Sequence, residues 1–354
     1  MAANFIAVER LIHSLKTAIA ISAAYLLARL IGQPADQWIV ISVIVVMCAQ
    51  LYVGSIIHKS YLRLLGTLLG CLLATAPILF FTHSFITVLI TIAIAGFIFS
   101  YIATSNEKYS QMGTLGAVTV IIILFGNPPT LWLALTRFLE ISVGILIAAI
   151  VSQFIFPIHA RTHLRRAQAA TLQQIKNYFM AVVANRQENM TNINSDMDES
   201  IIKSLLVQRQ LANDSSSELI GKRFDPTHFA RSLYCEREVL RSINFMDIAL
   251  TKIESAHSMF VAPGPLHSFN LIVNSALDVL IRGLKTNQLT DAHVHIPNLP
   301  TMLANLQQAT NNLPEAEHIY LDGFIFAAEV MLTNLRELAQ LYKIPITNEP
   351  QPKL

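Results

Sequence analysis

The sequence predicts an all-α membrane protein: six transmembrane helices, readable as a 3+3 inverted repeat, followed by a cytoplasmic helical bundle. Three observations lead there. Apolar windows fall at about Ser14–Ile31, Trp38–Ile57, Tyr61–Phe81, Phe85–Ile102, Met112–Phe125 and Leu131–Phe156, and ~20 apolar residues suffice to cross hydrocarbon as a helix. Charge is nearly absent from residues 11 to 156, whereas 157 to 354 have the composition of an ordinary soluble helical protein. Directly after Pro157 come Arg161, Arg165 and Arg166, which cannot enter hydrocarbon and hold that end of the sixth helix on the cytoplasmic side. The expected divisions are therefore a six-span domain over 1–157, a cytoplasmic helical domain over 158–345 and a disordered tail over 346–354.

The first window follows a short basic stretch, as a signal peptide would. Glu9 and Arg29 spoil that pattern and five more windows follow, so it reads as a retained span. The second and third windows are separated only by His58, Lys59 and Ser60, and the fifth is short, as suits a tilted or broken segment. With the N-terminus inside, the cytoplasmic ends hold Arg10, Lys16, Lys59, Arg63, Lys108, Arg161, Arg165 and Arg166, against Arg29 and Arg137 outside. Eight against two places both termini in the cytoplasm. The outer connections GQPADQ, THS and GNPPT are short and turn-forming.

An offset of 74, which aligns Gln37 with Gln111, lays Leu62–Ala74 over Thr136–Ala148 and matches Arg63 with Arg137, Gly70 with Gly144 and Ala74 with Ala148. Three spans separate the copies, so the halves would face opposite ways in the membrane. Chance matching within apolar sequence is the competing explanation. After Pro157 helical periodicity runs throughout, interrupted by Pro-rich breaks near Pro263, Pro297 and Pro314.

Ionisable residues inside spans are costly and usually have work to do. Arg137 and Glu140, one turn apart in the sixth window, share a helix face and can pair. They read either as an anion-binding arginine governed by a protonatable acid or as a structural ion pair. Arg63 and Lys16 either snorkel to the interface or add attraction for an anion, and Gln111 stands at the entrance of the fifth span. Trp38 and Gln37 read as interfacial residues, Arg29 as a flank anchor and Gln50 as a weaker polar candidate. Gly66 and Gly70, with Gly144 in the other half, allow close helix packing. The basic residues form no aromatic-interleaved stripe, so no nucleic acid is expected. Cys48, Cys71 and Cys235 are far apart, which argues against disulfides and zinc. Asp291, His293 and His295 have metal-like ingredients but lie in a Pro-bounded loop with no second pair, so solvated histidines are expected and no metal. No Walker lysine, GxSxG elbow, HExxH or kinase signature occurs; neither a cofactor nor an enzyme is expected.

The QWIVISVIVVMCAQ entry to the second span, HKSYLRLLGTLLG in the third, and TRFLEISVGILIAAIVSQFIFP running into a basic helix resemble the fusaric acid resistance (FUSC-like) and aromatic acid exporter membrane proteins, and more distantly the plant aluminium-activated malate transporters. The resemblance covers about residues 10 to 185. It implies export of organic anions, particularly aromatic carboxylates, across the bacterial inner membrane, driven by an ion gradient rather than ATP, with a periplasmic adaptor protein as a partner. Arg63, Gly66, Gly70, Arg137, Glu140 and Gly144 are the positions it picks out. Many such exporters are twice as long with two six-span halves, which here suggests a homodimer. Two rival readings stand beside transport coupled to a gradient: a passive anion channel, and a non-transporting membrane scaffold whose helical domain recruits a partner.

Overall fold

The structure, a computed structural model, describes residues 2–31, 37–48, 50–80, 84–126, 129–184, 191–218, 224–253, 264–286, 294–296, 304 and 315–347. Among these the chain is almost entirely helical and divides into two compact units. The first comprises 1–160 with 214–222, the second 161–213 with 223–354.

In the first unit the helices are α1 (Ala2–Ile31), α2 (Gln37–Met47), α3 (Val53–Phe80), α4 (Phe85–Ser105), α5 (Ser110–Leu124) and α6 (Leu131–Phe154), with a 3-10 turn at Glu107–Tyr109. Four stretches are long and apolar enough to cross a membrane: Val8–Ile31, Val53–Phe80, Phe85–Ser105 and Leu131–Phe154. The protein is therefore a membrane protein with several transmembrane helices. α2 has 11 residues and α5 has 15, about 16 and 22 Å at 1.5 Å per residue, short of a ~30 Å hydrocarbon core. The expected second span, Trp38–Ile57, is thus corrected. The helix stops at Met47, and Val53–Ile57 form the start of α3. Hydropathy missed the break because its one strongly polar residue, Gln50, stands among Cys48, Leu51 and Tyr52 and is averaged away over a window of ~19 residues.

Packing in this unit follows an exchange of α1, α2, α3 with α4, α5, α6. α2 packs on α1 and α6, α5 packs on α4 and α3, and α3 and α6 pack on each other. Glycines allow backbone-to-backbone approach at these contacts. A Cβ on Gly144 would stand 2.5 Å from the Ile39 carbonyl oxygen and 2.6 Å from Ser42 Cβ, and one on Gly70 would stand 2.6 Å from the Gly116 carbonyl oxygen and 2.8 Å from Thr119 Cβ. The two contacts equate Ile39 with Gly116 and Ser42 with Thr119, an offset of 77, while Gly70 and Gly144 keep 74. The alignment of Gln37 with Gln111 is corrected accordingly, because 31 residues separate Ile39 from Gly70 and only 28 separate Gly116 from Gly144. Gly66 likewise abuts the backbone carbonyl of Met112.

The second unit is built from α7 (Ala160–Ala184, from Arg161), α8 (Thr191–Ser216, to Asn213), α9 (Pro226–Thr251), α10 (Pro265–Thr286) and α11 (Glu315–Leu341). Asp225 caps α9, accepting from the Thr227 and His228 amides ahead of Pro226. One apolar core joins these helices, centred on edge-to-face contacts of Phe269 with Phe179 and with Phe324 at 6.0 and 5.8 Å. Lys343 takes a left-handed conformation (φ 57°) and Ile344 N–H donates to the Ala339 carbonyl at 2.8 Å, a Schellman ending to α11. The turn delivers Ile346–Thr347 as strand β2, parallel to β1 at Val294–His295. The start of the expected disordered tail is therefore ordered, since its amide and carbonyl groups have a partner strand; residues 348–354 lie outside the described residues.

Inside this core runs a buried polar chain. Gln208 donates to Glu236 Oε2 (2.7 Å) and Thr171 Oγ1 (2.8 Å), Tyr342 donates to Glu236 Oε1 (3.1 Å), and Ser232 links Tyr342 to Gln168. Burial, only partly offset by these donors, pushes the Glu236 carboxyl up to about 7. An acid whose folded pKa lies above its unfolded one stabilises the fold less as pH rises.

Two outcomes follow. Gly144→Leu should destabilise the first unit by about 1–3 kcal/mol in detergent unfolding, whereas Gly96→Leu, which meets nothing within 4 Å, should be neutral; equal effects would contradict the packing account. Between about pH 4.5 and 7 the second unit should lose on the order of 3 kcal/mol through Glu236, so Glu236→Gln should flatten the pH dependence of its unfolding temperature. Parallel profiles for parent and variant would exclude that role.

Candidate functional site

The site begins with the register of α6. Thr130 caps the helix, its hydroxyl accepting from the Leu133 amide, and two turns further in stand Arg137 and Glu140. Arg137 Nη1 donates to Glu140 Oε2 at 2.7 Å, and the side chains are only 13% and 11% exposed. The guanidinium lies over the Trp38 indole of α2, 5.1 Å from its centroid, a cation–π contact worth most where water is excluded. Trp38 is thus no simple interfacial anchor, because its ring shelters a charge. Arg137 Nε remains buried without a hydrogen-bond partner.

Beside this pair lies a half-open pocket of about 200 Å³ bounded by Ala28 and Ile31 of α1, Ile39 of α2, and Trp132, Thr136, Leu139, Glu140 and Val143 of α6. Its lining is apolar except at Thr136 and Glu140. A compartment of that chemistry suits a small molecule with an apolar body and a polar end.

Arg63 reaches the same face of α2. Only 4% exposed, it donates from Nη2 to Ser42 Oγ at 3.3 Å, while Nε and Nη1 have no partner. Ser42 follows Trp38 by four residues, one helical turn, so arginines at matching places in the two halves converge on one stripe of α2. Exchange symmetry would have sent Arg137 to Thr119 of α5 instead. The snorkelling reading of Arg63 is corrected: the side chain turns inward to a hydroxyl rather than outward to lipid phosphate.

Lys16 is likewise corrected as a snorkelling flank residue. It is wholly buried in α1, and its Nζ has no hydrogen-bond partner. The reason is the small-residue stripe Ala20, Ala24 and Ala28, which lets α1 seat closely enough on its neighbours to enclose the lysine. His13, one turn earlier, lies 3.1 Å from the Met47 carbonyl at the end of α2. Lys59 is buried one turn before Arg63. Among the described residues no carboxylate forms an ion pair with Lys16, Lys59 or Arg63.

Other expected positions fall apart from this group. Gln111 is exposed on the first turn of α5 and, among the described residues, bonds neither arginine. Gln37 and Arg29 are exposed and Gln50 is half-buried in the break after α2. Cys48 is exposed, while Cys71 and Cys235 are buried, and all three are free thiols. Asp291 and His293 lie outside the described residues; His295 Nδ1 is 3.2 Å from the Thr347 carbonyl, and the described residues hold no group of three metal-ligating side chains. Reading the sequence missed Ser42 and the pairing of Trp38 with Arg137. The available signal was the i, i+4 spacing of an aromatic and a hydroxyl inside an otherwise aliphatic run.

Comparison with known proteins connects this arrangement to a family. The Fusaric acid resistance protein family matches residues 10–213, which takes in all six helices of the first unit from Arg10 onward. Among curated proteins the chain is similar to the inner membrane protein YeeA of Escherichia coli (strain K12), 22% identical over 213 residues, covering 60% of each chain. The chain thus spans about 60% of that relative's length. With a family match over more than half its residues, the chain belongs to the fusaric acid resistance protein family.

Proposed function

We propose that the protein exports organic anions, aromatic carboxylates foremost, across the inner membrane, with Glu140 coupling passage to protons. The observation that carries this reading is the largely enclosed Arg137–Glu140 pair set against an apolar pocket. A carboxylate in hydrocarbon needs a cation as partner, and Arg137 holds one already. When Glu140 takes a proton, the guanidinium is released to a substrate carboxylate, which occupies the place of the acid. The aromatic ring then lies along Ile39, Val143 and Leu139. A cavity of about 150 Å³ lined by such side chains takes benzene, so the space beside Glu140 is adequate. When the proton leaves, Glu140 reclaims Arg137 and the substrate is expelled.

Lys16, Lys59 and Arg63 supply attraction at the inner end. The distribution of Lys and Arg supports an inside location for both termini, and the matched packing of α1–α3 and α4–α6, with α3 against α6 at its centre, accords with an inverted repeat. A homodimer and a periplasmic adaptor belong to the same reading. The reading has one competitor that a specific observation favours: the inner cations lack a titratable acid partner among the described residues, as a passive anion pore would have them.

Proteoliposomes carrying the full chain separate the two. Under an imposed pH gradient, an aromatic carboxylate such as benzoate should accumulate against its own gradient, and Arg137→Ala should reduce flux roughly 30-fold, as expected for losing about 2 kcal/mol of charge-assisted hydrogen bonding. Glu140→Gln should keep downhill flux but abolish accumulation. Flux indifferent to the pH gradient in the parent would establish the pore, and flux indifferent to Arg137 would overturn the site.

A further inference from the structure

One piece of chain lies in the first unit without being its neighbour in sequence. Residues Asp214–Glu218, at and just beyond the end of α8, pack against the start of α3. Gly54, the second residue of α3, abuts the Asp214 carbonyl oxygen so closely that a Cβ could not be accommodated, and the same Cβ would stand 3.2 Å from Glu218 Cγ. Glu218 reaches further. Its Oε1 accepts the Ala160 amide at 2.6 Å and its Oε2 is 3.5 Å from His159 Nδ1. Ala160 is the first residue of α7, so Glu218 satisfies an amide that the helix itself leaves open and places negative charge at its positive end.

A third strand of the junction closes it. Phe156 takes a left-handed conformation (φ 46°) after α6, the chain turns, and the Ile158 carbonyl accepts the Val53 amide at 3.1 Å. The start of α3, the exit from α6 and the end of α8 are therefore bound together through backbone groups and one carboxylate. α3 leaves this knot rigidly, carrying Lys59 and Arg63 about 8 and 14 Å further along its axis. The contact is held against a cost: burial and the Glu218 charge raise the Asp214 carboxyl to about 6. Acids kept together on a glycine that admits no side chain indicate a contact with a purpose beyond packing area.

We infer that Asp214–Glu218 is an intramolecular latch on the amino end of α3 that fixes how deeply the Arg63 region is enclosed. Engaged, it holds the break after α2 closed around Arg63 and Ser42. Released, it frees the first turns of α3, and the Arg63 region opens to water. The latch does not depend on whether the chain carries anions, since its effect is on exposure and is read without transport.

The test uses the full chain in lipid with its native cysteines replaced and Ser60→Cys as reporter. Ser60 is buried on α3, three residues before Arg63, and its hydroxyl has no hydrogen-bond partner. The rate of its modification by a water-soluble maleimide is measured together with hydrogen exchange at the Ala160 amide. Glu218→Gln keeps the shape and weakens the latch, Gly54→Ala displaces it by a methyl group, and a His159→Cys/Glu218→Cys disulfide locks it. The first two should raise both modification and exchange about tenfold or more, and the disulfide should suppress modification until reduced. Loss of Ala160 protection with no change in Ser60→Cys reactivity would overturn the inference, as would the absence of change in either.

Discussion

A guanidinium in hydrocarbon must find a carboxylate, a π face, a hydroxyl or water, because burying it alone costs several kcal/mol. The first unit is organised around meeting that requirement twice and leaving it partly unmet elsewhere. Arg137 has Glu140 on one side and the Trp38 ring on the other. Arg63 has a single bond to Ser42 and two idle nitrogens, and Lys16 has none. The chain thus holds one neutralised charge next to an apolar cavity and several unneutralised ones around the end of α2. That gradient of neutralisation, more than the number of basic residues, is what makes an anion path physically sensible.

Helix packing sets the geometry in which those charges meet. Gly144 lets α6 approach α2 to backbone contact, which brings Arg137 over Trp38; Gly70 does the same for α3 on α5. The two halves repeat this device, yet the arginines break the symmetry by both turning to α2. A short helix ending in mid-unit, with Trp38 and Ser42 one turn apart, becomes the shared wall. Its brevity has a consequence of its own: the Met47 carbonyl and the Val53 amide stand at helix ends within the chain, and they are met by His13 and the Ile158 carbonyl.

Much of this could be read from residues alone, for identifiable reasons. The i, i+3 spacing of Arg137 and Glu140 fixes their pairing on any helix, and long apolar windows mark most of the helices. What depends on tertiary contact could not be read. Lys16 looks like a flank residue until the alanines of α1 enclose it, and Trp38 looks like an interfacial anchor until α6 lays a guanidinium on it. The break after Met47 holds one strongly polar residue, Gln50, too little to interrupt an apolar window of ~19 residues. Asp214 and Glu218 lie about 160 residues beyond Gly54, and only the fold brings them to it.

An anion path at this place requires that Arg137 and Glu140 shelter each other inside the membrane. A double-mutant cycle on unfolding of the full chain in bicelles, with Arg137→Gln, Glu140→Gln and the pair, measures that directly. Each single change should destabilise by about 3–5 kcal/mol by stranding its partner, and the double variant should recover much of the loss, giving a coupling of at least about 2 kcal/mol. Losses that simply add, within about 0.5 kcal/mol, would show that the two side chains are solvated independently and would contradict the central claim.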